Sequence, residues 1–216
     1  MTINNFKKRF LTSLVLFLFV ILMIKQNLFL IYFLILLSVL SILEFMNILK
    51  RITKAYYLLI IANVLFISYL FFFSTIFYLI SNISHLKILL YSFLICCVAS
   101  DLGGYIFGKI FKGPKLTKIS PKKTISGSLG SLIMSSILLL IMMLYFFNLF
   151  SIKFILIGLI ISTSCQIGDL FFSYMKRKAN LKDTGNFLPG HGGVLDRVDG
   201  ILFGIPTGFL SINLFF

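Results

Sequence analysis

Charged residues, and acidic ones above all, are scarce in this sequence. Only 12% of the 216 residues are charged and only six are acidic, whereas an average soluble domain is about 25% charged. Hydrophobic residues make up 59% of the chain. This balance argues against an ordinary soluble domain and predicts an all-α, helical integral membrane protein.

Cysteine and histidine are sparse as well. The three cysteines, Cys96, Cys97 and Cys165, lie in apolar runs, and their spacing gives neither a disulfide framework nor a zinc site. They are expected to be small buried side chains. Of the two histidines, His85 falls in a predicted outer loop and has no predicted role.

Long apolar runs, by contrast, are plentiful. A helix needs roughly 20 apolar residues to cross a bilayer core, and seven stretches come close to that length. They are residues 10–24, 28–49, 55–80, 88–108, 128–148, 152–175 and 198–216. The sequence therefore predicts a polytopic protein with about seven transmembrane helices.

The cations are distributed unevenly over the predicted loops. If the N-terminus is cytoplasmic, only Lys25, Lys87 and Lys153 lie outside, and the other seventeen of the twenty lysines and arginines lie inside. This split satisfies the positive-inside rule, so we expect a cytoplasmic N-terminus. The net charge of +14 comes from residues between apolar spans. That distribution favours anionic headgroups and nucleotide phosphates, rather than nucleic acid, as partners.

Residues 173–199 form a strongly polar segment between two predicted spans. The segment contains five of the twenty cations, three of the six acids and four glycines. Ordering such a segment costs conformational entropy and adds little to an apolar core. All six acids fall on the predicted cytoplasmic side, although Glu44 is expected only to pair with Lys50 or Arg51. We therefore expect the segment to bind a ligand at the cytoplasmic face.

Three aspartates are candidates for holding a cation. Asp169, Ser173 and Lys176 are spaced i, i+4 and i+7, so they share one face of a helix. Asp196 and Asp199 are spaced i, i+3 at the start of the last predicted helix. Carboxylate oxygens suit a hard divalent cation whose shell is completed by phosphates and water. Together with the many cations, this pattern points to phosphoryl or nucleotidyl transfer.

The predicted loop 109–130 is rich in lysine, serine, threonine and glycine. Its cluster Ser120-Pro121-Lys122-Lys123-Thr124 offers ammonium and hydroxyl donors to a phosphate. A helix expected to begin near residues 126–128 would point its N-terminus at that phosphate. A positive-inside loop that only touches lipid headgroups is the alternative, and the lysines alone do not separate the two.

Two further residues have competing interpretations. Asp101, which opens Asp101-Leu102-Gly103-Gly104-Tyr105, is either a site carboxylate or an ion-pair partner of Lys109. His191 is either a general base or phosphate donor, or a turn residue in a Gly-Pro loop. The glycines after Asp101 favour close helix packing, which is also ordinary in membrane proteins.

The spacing of these motifs resembles that of a known family. The polar segment contains Ser173, Lys176-Arg177, Lys182-Asp183, Gly185, Leu188-Pro189, His191-Gly192-Gly193, Asp196-Arg197 and Asp199. This set closely resembles the signature of phosphatidate cytidylyltransferases, also called CDP-diacylglycerol synthases. The Asp101–Tyr105 segment with Gly108-Lys109, the Ser120–Thr124 cluster and Gly168-Asp169-Leu170 resemble further motifs of that family.

The resemblance implies how the chain is organised and what it does. Residues 1–87 would be N-terminal transmembrane helices. Residues 88–216 would be the catalytic region, with cytoplasmic loops 109–127 and 176–197, all in one integral domain. The implied reaction transfers CMP from CTP to phosphatidate, giving CDP-diacylglycerol and pyrophosphate. Mg²⁺ is the implied cofactor, and the implied location is a bacterial cytoplasmic membrane, with the active site facing the cytoplasm. A second, monovalent cation and a homodimer stay open.

The roles that the resemblance implies are assigned residue by residue. Asp169, Asp196 and Asp199 would bind the metal, and they belong to the catalytic set. The rest of that set is Asp101, Lys176, His191 and Arg197. The implied substrate-binding residues are Ser120, Lys122, Lys123, Thr124, Ser173, Arg177, Lys182, Asp183, Gly192 and Gly193.

Two departures from the family pattern keep other functions open. Ser126 and Phe172 stand where such enzymes usually or often have Glu, so an inactive homologue is one alternative. A CDP-alcohol phosphotransferase is another, because Asp196-Arg197-Val198-Asp199-Gly200 imitates its start, although the rest of its pattern is missing. A transporter is disfavoured, since the acids lie toward one face and no inverted repeat is visible.

Overall fold

The computed structural model describes residues 22, 25–185, 187 and 192–216. Within these residues it contains six long helices and no strand. The helices are α1 (Asn27–Ile52), α2 (Tyr56–Ser81), α3 (Ser84–Phe111), α4 (Ile125–Phe147), α5 (Ile152–Lys178) and α6 (Leu195–Phe215). Each is long and apolar enough to cross a membrane. The predicted all-α, polytopic membrane fold is confirmed.

Six of the predicted spans coincide with these helices to within about four residues at each end. The predicted span 10–24 lies outside the described residues, apart from Leu22. Several helices continue beyond their apolar stretch into charged sequence. The last turn of α5 carries Lys176, Arg177 and Lys178, and the first turn of α6 carries Asp196. Cations at a helix C-terminus and an acid at an N-terminus each oppose the helix dipole, so these charges also suit the helix ends.

The chain divides into two compact units. The first contains the described residues up to Ile83 together with Met175–Arg197, and the second contains Ser84–Tyr174 together with Val198–Phe216. The described residues of the polar segment from Met175 to Arg197 therefore belong to the same unit as α1 and α2. The division of the sequence at residues 87 and 88 stays a prediction.

In the first unit, α1 and α2 pack through apolar and aromatic side chains. Leu34 and Leu70 are buried, and the rings of Phe45 and Phe66 stack with their centroids 4.0 Å apart. The hydroxyls of Ser38 and Ser74 lie 3.0 Å from each other and link the two helices. Many other apolar side chains of both helices are exposed, as expected for surfaces that contact lipid.

In the second unit, α3 and α4 approach closely through glycine. A Cβ atom on Gly103 would lie 2.6 Å from the carbonyl oxygen of Gly130, and one on Gly127 would lie 2.6 Å from that of Gly104. No larger residue fits at these contacts without a shift of the backbone. The glycines that follow Asp101 therefore serve helix packing, as their spacing indicated.

Candidate active site

The end of α5 is shaped by a left-handed residue, Asn180. Its φ is 54°, and the Leu181 N–H donates to the Lys176 carbonyl at 2.8 Å, while the Asn180 N–H donates to the Arg177 carbonyl at 3.1 Å. This pair of bonds is a Schellman motif, which ends a helix and turns the chain. Lys176 therefore lies in the last helical turn, immediately before the polar loop.

Lys176 belongs to a network of charged and polar side chains in the first unit. We call it the Asp196 cluster, and its members are Glu44, Lys176, Thr184 and Asp196. Lys176 Nζ forms an ion pair with Asp196 Oδ1, and the backbone N–H of Thr184 donates to Asp196 Oδ2 at 2.8 Å. Both carboxylate oxygens of Asp196 are therefore held by donors from two different parts of the chain.

Glu44 is the most deeply buried member of this cluster, with no exposed surface. Its Oε2 accepts from the Thr184 hydroxyl at 2.6 Å and from the Leu195 N–H at 2.9 Å, and its Oε1 accepts from the Val194 N–H at 2.9 Å. The expectation that Glu44 pairs with Lys50 or Arg51 is wrong. Three hydrogen-bond donors from the polar segment surround the carboxylate instead. A buried carboxylate is stabilised by such donors, whereas Lys50 is exposed at the end of the helix.

Glycines of the polar segment make room for this carboxylate. A Cβ atom on Gly185 or on Gly193 would overlap the oxygens of Glu44. Gly192 has a φ of 87°, in the left-handed region that favours glycine, and it lies close to Asp183 and Asp196. The substrate-binding roles of Gly192 and Gly193 stay predictions. Conformation at Gly192 and close packing at Gly193 each give a separate reason for glycine.

Thr184 and Glu44 are the two members of the cluster that the predicted site lacked. Glu44 is the only acid of the chain before Asp101 and lies within a predicted span. An ionisable residue in such a position is a functional candidate by default. The position of Glu44 within a predicted span could therefore have identified it as a candidate. No pattern in the sequence identified Thr184.

The lysine-rich loop between α3 and α4 folds back on itself. The Lys123 N–H donates to the Ser120 carbonyl at 3.0 Å, the Leu116 N–H donates to the Lys123 carbonyl at 2.8 Å, and Lys115 and Thr124 form an isolated antiparallel bridge. The turn fixes the backbone of Lys123 just before α4. Lys122, one residue earlier, has an exposed side chain.

Thr124 acts as the N-cap of α4. Its Oγ1 accepts from the Gly127 N–H at 3.1 Å, and the Ile125 and Ser128 amides donate to the carbonyls of Pro114 and Thr124. The predicted start of this helix is confirmed to within a few residues. The backbone N–H groups of Ile125, Gly127 and Ser128 therefore already have acceptors within the protein. These bonds give no support to the predicted contact between a phosphate and the N-terminus of this helix.

Lys123 forms a further aspartate–lysine pair. Its Nζ pairs with Asp169 Oδ2, and the Ser173 hydroxyl donates to Asp169 Oδ1 at 3.4 Å. We call Lys123, Asp169 and Ser173 the Asp169 cluster, and all three belong to the second unit. Asp169 and Ser173 therefore lie on one face of the helix, as their spacing predicted, and they are joined by a hydrogen bond.

Asp199 also lies in the second unit and is largely buried. Its Oδ1 accepts from the Gly200 N–H at 2.9 Å. A Cβ atom on Gly168 would lie 2.5 Å from the Asp199 carbonyl oxygen, so α5 and α6 pack closely here. The glycine before Asp169 therefore brings the backbone of Asp199 beside α5.

The remaining predicted site residues are less enclosed. Exposed side chains belong to Asp101, Arg177, Lys182, Asp183 and Arg197. One guanidinium nitrogen of Arg177 donates to the Leu181 carbonyl at 3.2 Å. Ser120 is half-buried, and its N–H donates to the Thr117 hydroxyl at 3.3 Å. His191 lies outside the described residues, so its two interpretations stay open.

The two positions that depart from the family pattern have clear local roles. Phe172 is only 2% exposed and packs its ring edge to face against those of Phe171 and Phe203. Ser126 donates to the Lys112 carbonyl and lies 3.1 Å from the Thr124 hydroxyl. A carboxylate at position 172 would be buried among aromatic rings, which explains why an apolar residue suits this chain.

A metal site made by the protein alone would need several of the described carboxylates, cysteines or histidines close together. Among those residues, no group of three or more is arranged to hold a metal ion. Asp169 and Asp196 each face a lysine ammonium, a cation already provided by the chain. Mg²⁺ commonly uses only one or two carboxylates and takes its other ligands from substrate phosphates and water. The donor chemistry therefore fits Mg²⁺ brought in with a nucleotide rather than a site closed by the protein alone.

These features define a class: a polytopic helical membrane protein with two carboxylate–lysine clusters on polar ends of its helices. Comparison with known proteins narrows that class. The model of the cytidylyltransferase family matches residues 5–215. The chain therefore belongs to the cytidylyltransferase family.

Three relatives named phosphatidate cytidylyltransferase are similar to this chain. The protein of Staphylococcus haemolyticus (strain JCSC1435) is 44% identical over 123 residues, covering 56% of this chain and 47% of the relative. That of Rickettsia typhi (strain ATCC VR-144 / Wilmington) is 43% identical over 140 residues, covering 61% and 60%. That of Staphylococcus aureus (strain COL) is 47% identical over 124 residues, covering 56% and 47%. The chain thus spans about half the length of the curated relatives that it matches.

Proposed function

We propose that this protein transfers CMP from CTP to phosphatidate and forms CDP-diacylglycerol and pyrophosphate. One observation carries the proposal: within the polar segment, Lys176 and the Thr184 amide, which lie 20 and 12 residues from Asp196, hold its two carboxylate oxygens. Relatives that are 43–47% identical to this chain over their matched parts are named for this activity. A network of this kind places charge where a phosphate-rich substrate needs it.

The chemistry needs no nucleophile from the protein. The phosphate of phosphatidate is ionised near neutral pH and can attack the α-phosphorus of CTP in line with the leaving pyrophosphate. Negative charge then grows on the phosphate oxygens. Cationic side chains at the site stabilise this charge, and Lys123 and Lys176, already held by aspartates, are the best-oriented candidates.

Asp169, Asp196 and Asp199 are the proposed ligands for Mg²⁺. The bound ion would neutralise charge on the triphosphate oxygens. Each of Asp169 and Asp196 is oriented by its own lysine, Lys123 and Lys176 respectively. The polar segment also carries three exposed cationic side chains, which are proposed to contact phosphates. They are Arg177, Lys182 and Arg197.

The active site is proposed to face the cytoplasm. Lysines and arginines are concentrated at the helix ends that carry Lys50, Lys109 and Lys176, and the positive-inside rule assigns these ends to the cytoplasm. CTP is a water-soluble substrate, and phosphatidate reaches the site within the bilayer. Both substrates can therefore meet at the polar ends of the helices.

The test is pyrophosphate release by the purified protein in phosphatidate-containing liposomes supplied with CTP and Mg²⁺. Release should require all three and should fall by about 100-fold or more in Asp196→Asn, which keeps the shape of the side chain but removes its charge. Diacylglycerol in place of phosphatidate is the control for substrate. If folded wild-type protein releases no pyrophosphate, the proposal is wrong, and an inactive homologue becomes the better account.

A further inference from the structure

Glu44 lies in α1, far in sequence from every motif of the family signature, yet it contacts that signature directly. We infer that Glu44 is a positioning residue that fixes Thr184 and the first turn of α6, and through them the carboxylate of Asp196. The inference rests on the proposed function, because it names a residue that the proposed reaction requires without contact to substrate.

Glu44 is buried in a place where a carboxylate is costly. Its side chain is fully buried within a helix that crosses the membrane, where a carboxylate without partners is strongly destabilising. Three short hydrogen bonds from Thr184, Val194 and Leu195 compensate for that cost. An apolar residue could fill the same space without any such requirement. The presence of the carboxylate is therefore best explained by what it holds.

Glu44 holds two backbone N–H groups at the start of α6. The N–H groups of Val194 and Leu195 are at the start of α6, where helix amides have no partner within the helix. The carbonyl of Val194 accepts from the Arg197 N–H at 2.9 Å, so Val194 closes the first turn. Glu44 thus caps α6 from another helix and interacts favourably with its dipole.

The cap on α6 is linked to Asp196 through Leu195 and through Thr184. Leu195 directly precedes Asp196, and Thr184 donates its hydroxyl to Glu44 and its backbone N–H to Asp196. Both routes to the Asp196 carboxylate therefore begin at Glu44. Gly185 and Gly193 complete the arrangement, because a Cβ atom on either would displace the Glu44 oxygens.

The main test is Glu44→Gln, which conserves shape and removes only charge and acceptor capacity. In either orientation of the amide, its NH₂ group faces the N–H of Val194 or of Leu195, a donor opposite a donor. We expect kcat for CTP-dependent pyrophosphate release to fall about 10- to 100-fold, as for other residues that orient a catalytic ligand. KM for CTP should change much less, because a fully buried Glu44 is not proposed to contact the nucleotide.

A readout independent of activity is hydrogen–deuterium exchange of peptides that contain Val194 and Leu195. Exchange should be faster in Glu44→Gln, while peptides of α3 and α4 in the second unit should be unchanged. The matched control is Ser41→Ala, one turn earlier in α1 and equally buried. Among the described residues the Ser41 hydroxyl has no hydrogen-bond partner. This control should leave kcat and exchange as in the wild type.

A second pair of variants covers the case in which Glu44→Gln does not fold. Thr184→Val removes the hydroxyl at constant shape, and Thr184→Ser keeps it, so only the first should lower kcat and accelerate exchange at Val194 and Leu195. The double variant Glu44→Gln/Thr184→Val, if it folds, should lose less kcat than the product of the two single-variant factors. The reason is that both side chains act in one hydrogen-bond network.

The outcomes separate the inference from the proposed function. An active wild type with unchanged kcat and exchange in Glu44→Gln overturns the inference and leaves the function standing. A wild type without activity overturns the function, and the exchange data alone then decide whether Glu44 fixes the loop and helix start. A loss of activity that only follows the loss of folded protein, with normal kcat per folded molecule, also overturns the inference.

Discussion

The Lys176–Asp196 and Lys123–Asp169 pairs have the same chemistry but different surroundings. The side chains of Lys176 and Asp196 are 12% and 11% exposed, whereas those of Lys123 and Asp169 are 28% and 31% exposed. Asp196 also accepts a hydrogen bond from the Thr184 N–H, and the Thr184 hydroxyl donates to Glu44. Asp169 accepts a longer hydrogen bond, of 3.4 Å, from the Ser173 hydroxyl. The comparison shows that burial and hydrogen bonding, rather than the charges alone, determine how firmly a carboxylate is held.

This difference suggests a division of labour for the proposed reaction. The enclosed pair provides a carboxylate with a fixed position. The more open pair, beside the lysine-rich turn, is easier to rearrange when phosphates arrive, because exposed ion pairs contribute little free energy. Each of the following experiments removes or sharpens this contrast, from the largest expected effect to the smallest.

The largest effect is expected from Gly193→Ala. The new Cβ atom would overlap Thr184 Oγ1 and Glu44 Oε2, so the bracing of Asp196 would be lost with the local packing. The free energy of unfolding should fall by about 3 kcal/mol or more, measured by thermal unfolding in detergent. The control is Gly200→Ala, where a Cβ atom would make only ordinary contacts of 3.4 Å or longer. Equal stability of the two variants would show that the space around Glu44 is not tight.

The next largest effect separates the two lysines. Lys176→Met leaves Asp196 charged in a largely enclosed place, and the free energy of unfolding should fall by about 3 kcal/mol. Lys123→Met leaves a more exposed Asp169, and the loss should be below about 1 kcal/mol. Both values come from unfolding curves at matched detergent and salt concentration. A larger loss for Lys123→Met than for Lys176→Met would reverse the comparison and refute it.

The smallest effect is expected from the cap of α4. Thr124→Ala removes the acceptor for the Gly127 N–H and should lower the free energy of unfolding by about 1 kcal/mol. Thr124→Ser keeps the acceptor and should be close to the wild type. A neutral Thr124→Ala would mean that this threonine is not needed as a cap, and its predicted contact with substrate would then be its main role.

The membrane fold could be predicted well because one physical quantity, the length of apolar runs, determines where helices cross. Helix ends were less certain, since α5 and α6 extend past their apolar residues through charged turns such as those of Lys176 and Asp196. Close helix packing at Gly103 and Gly104 was predicted from their spacing, because a missing side chain has a direct steric meaning, but only the structure identifies α4 as the partner helix.

The partners within the site could be predicted only in part. The Asp169–Ser173 contact follows from helix geometry, but Lys123 lies 46 residues from Asp169 and Glu44 lies 140 residues from Thr184. Nothing local in a sequence specifies such contacts. The error at Glu44 has the same cause, because its nearest cations in sequence were taken as partners although the polar segment supplies three donors.

The most direct test of the central claim follows the label of CTP into lipid. Purified protein in phosphatidate liposomes is given Mg²⁺ and CTP labelled at either the α- or the γ-phosphate, and the lipid and aqueous phases are then separated. The account predicts that the α-label enters the lipid as CDP-diacylglycerol, that the γ-label appears only in released pyrophosphate, and that both signals vanish in Asp196→Asn. Transfer of the γ-label to lipid, or no transfer of either label by folded wild-type protein, would contradict it.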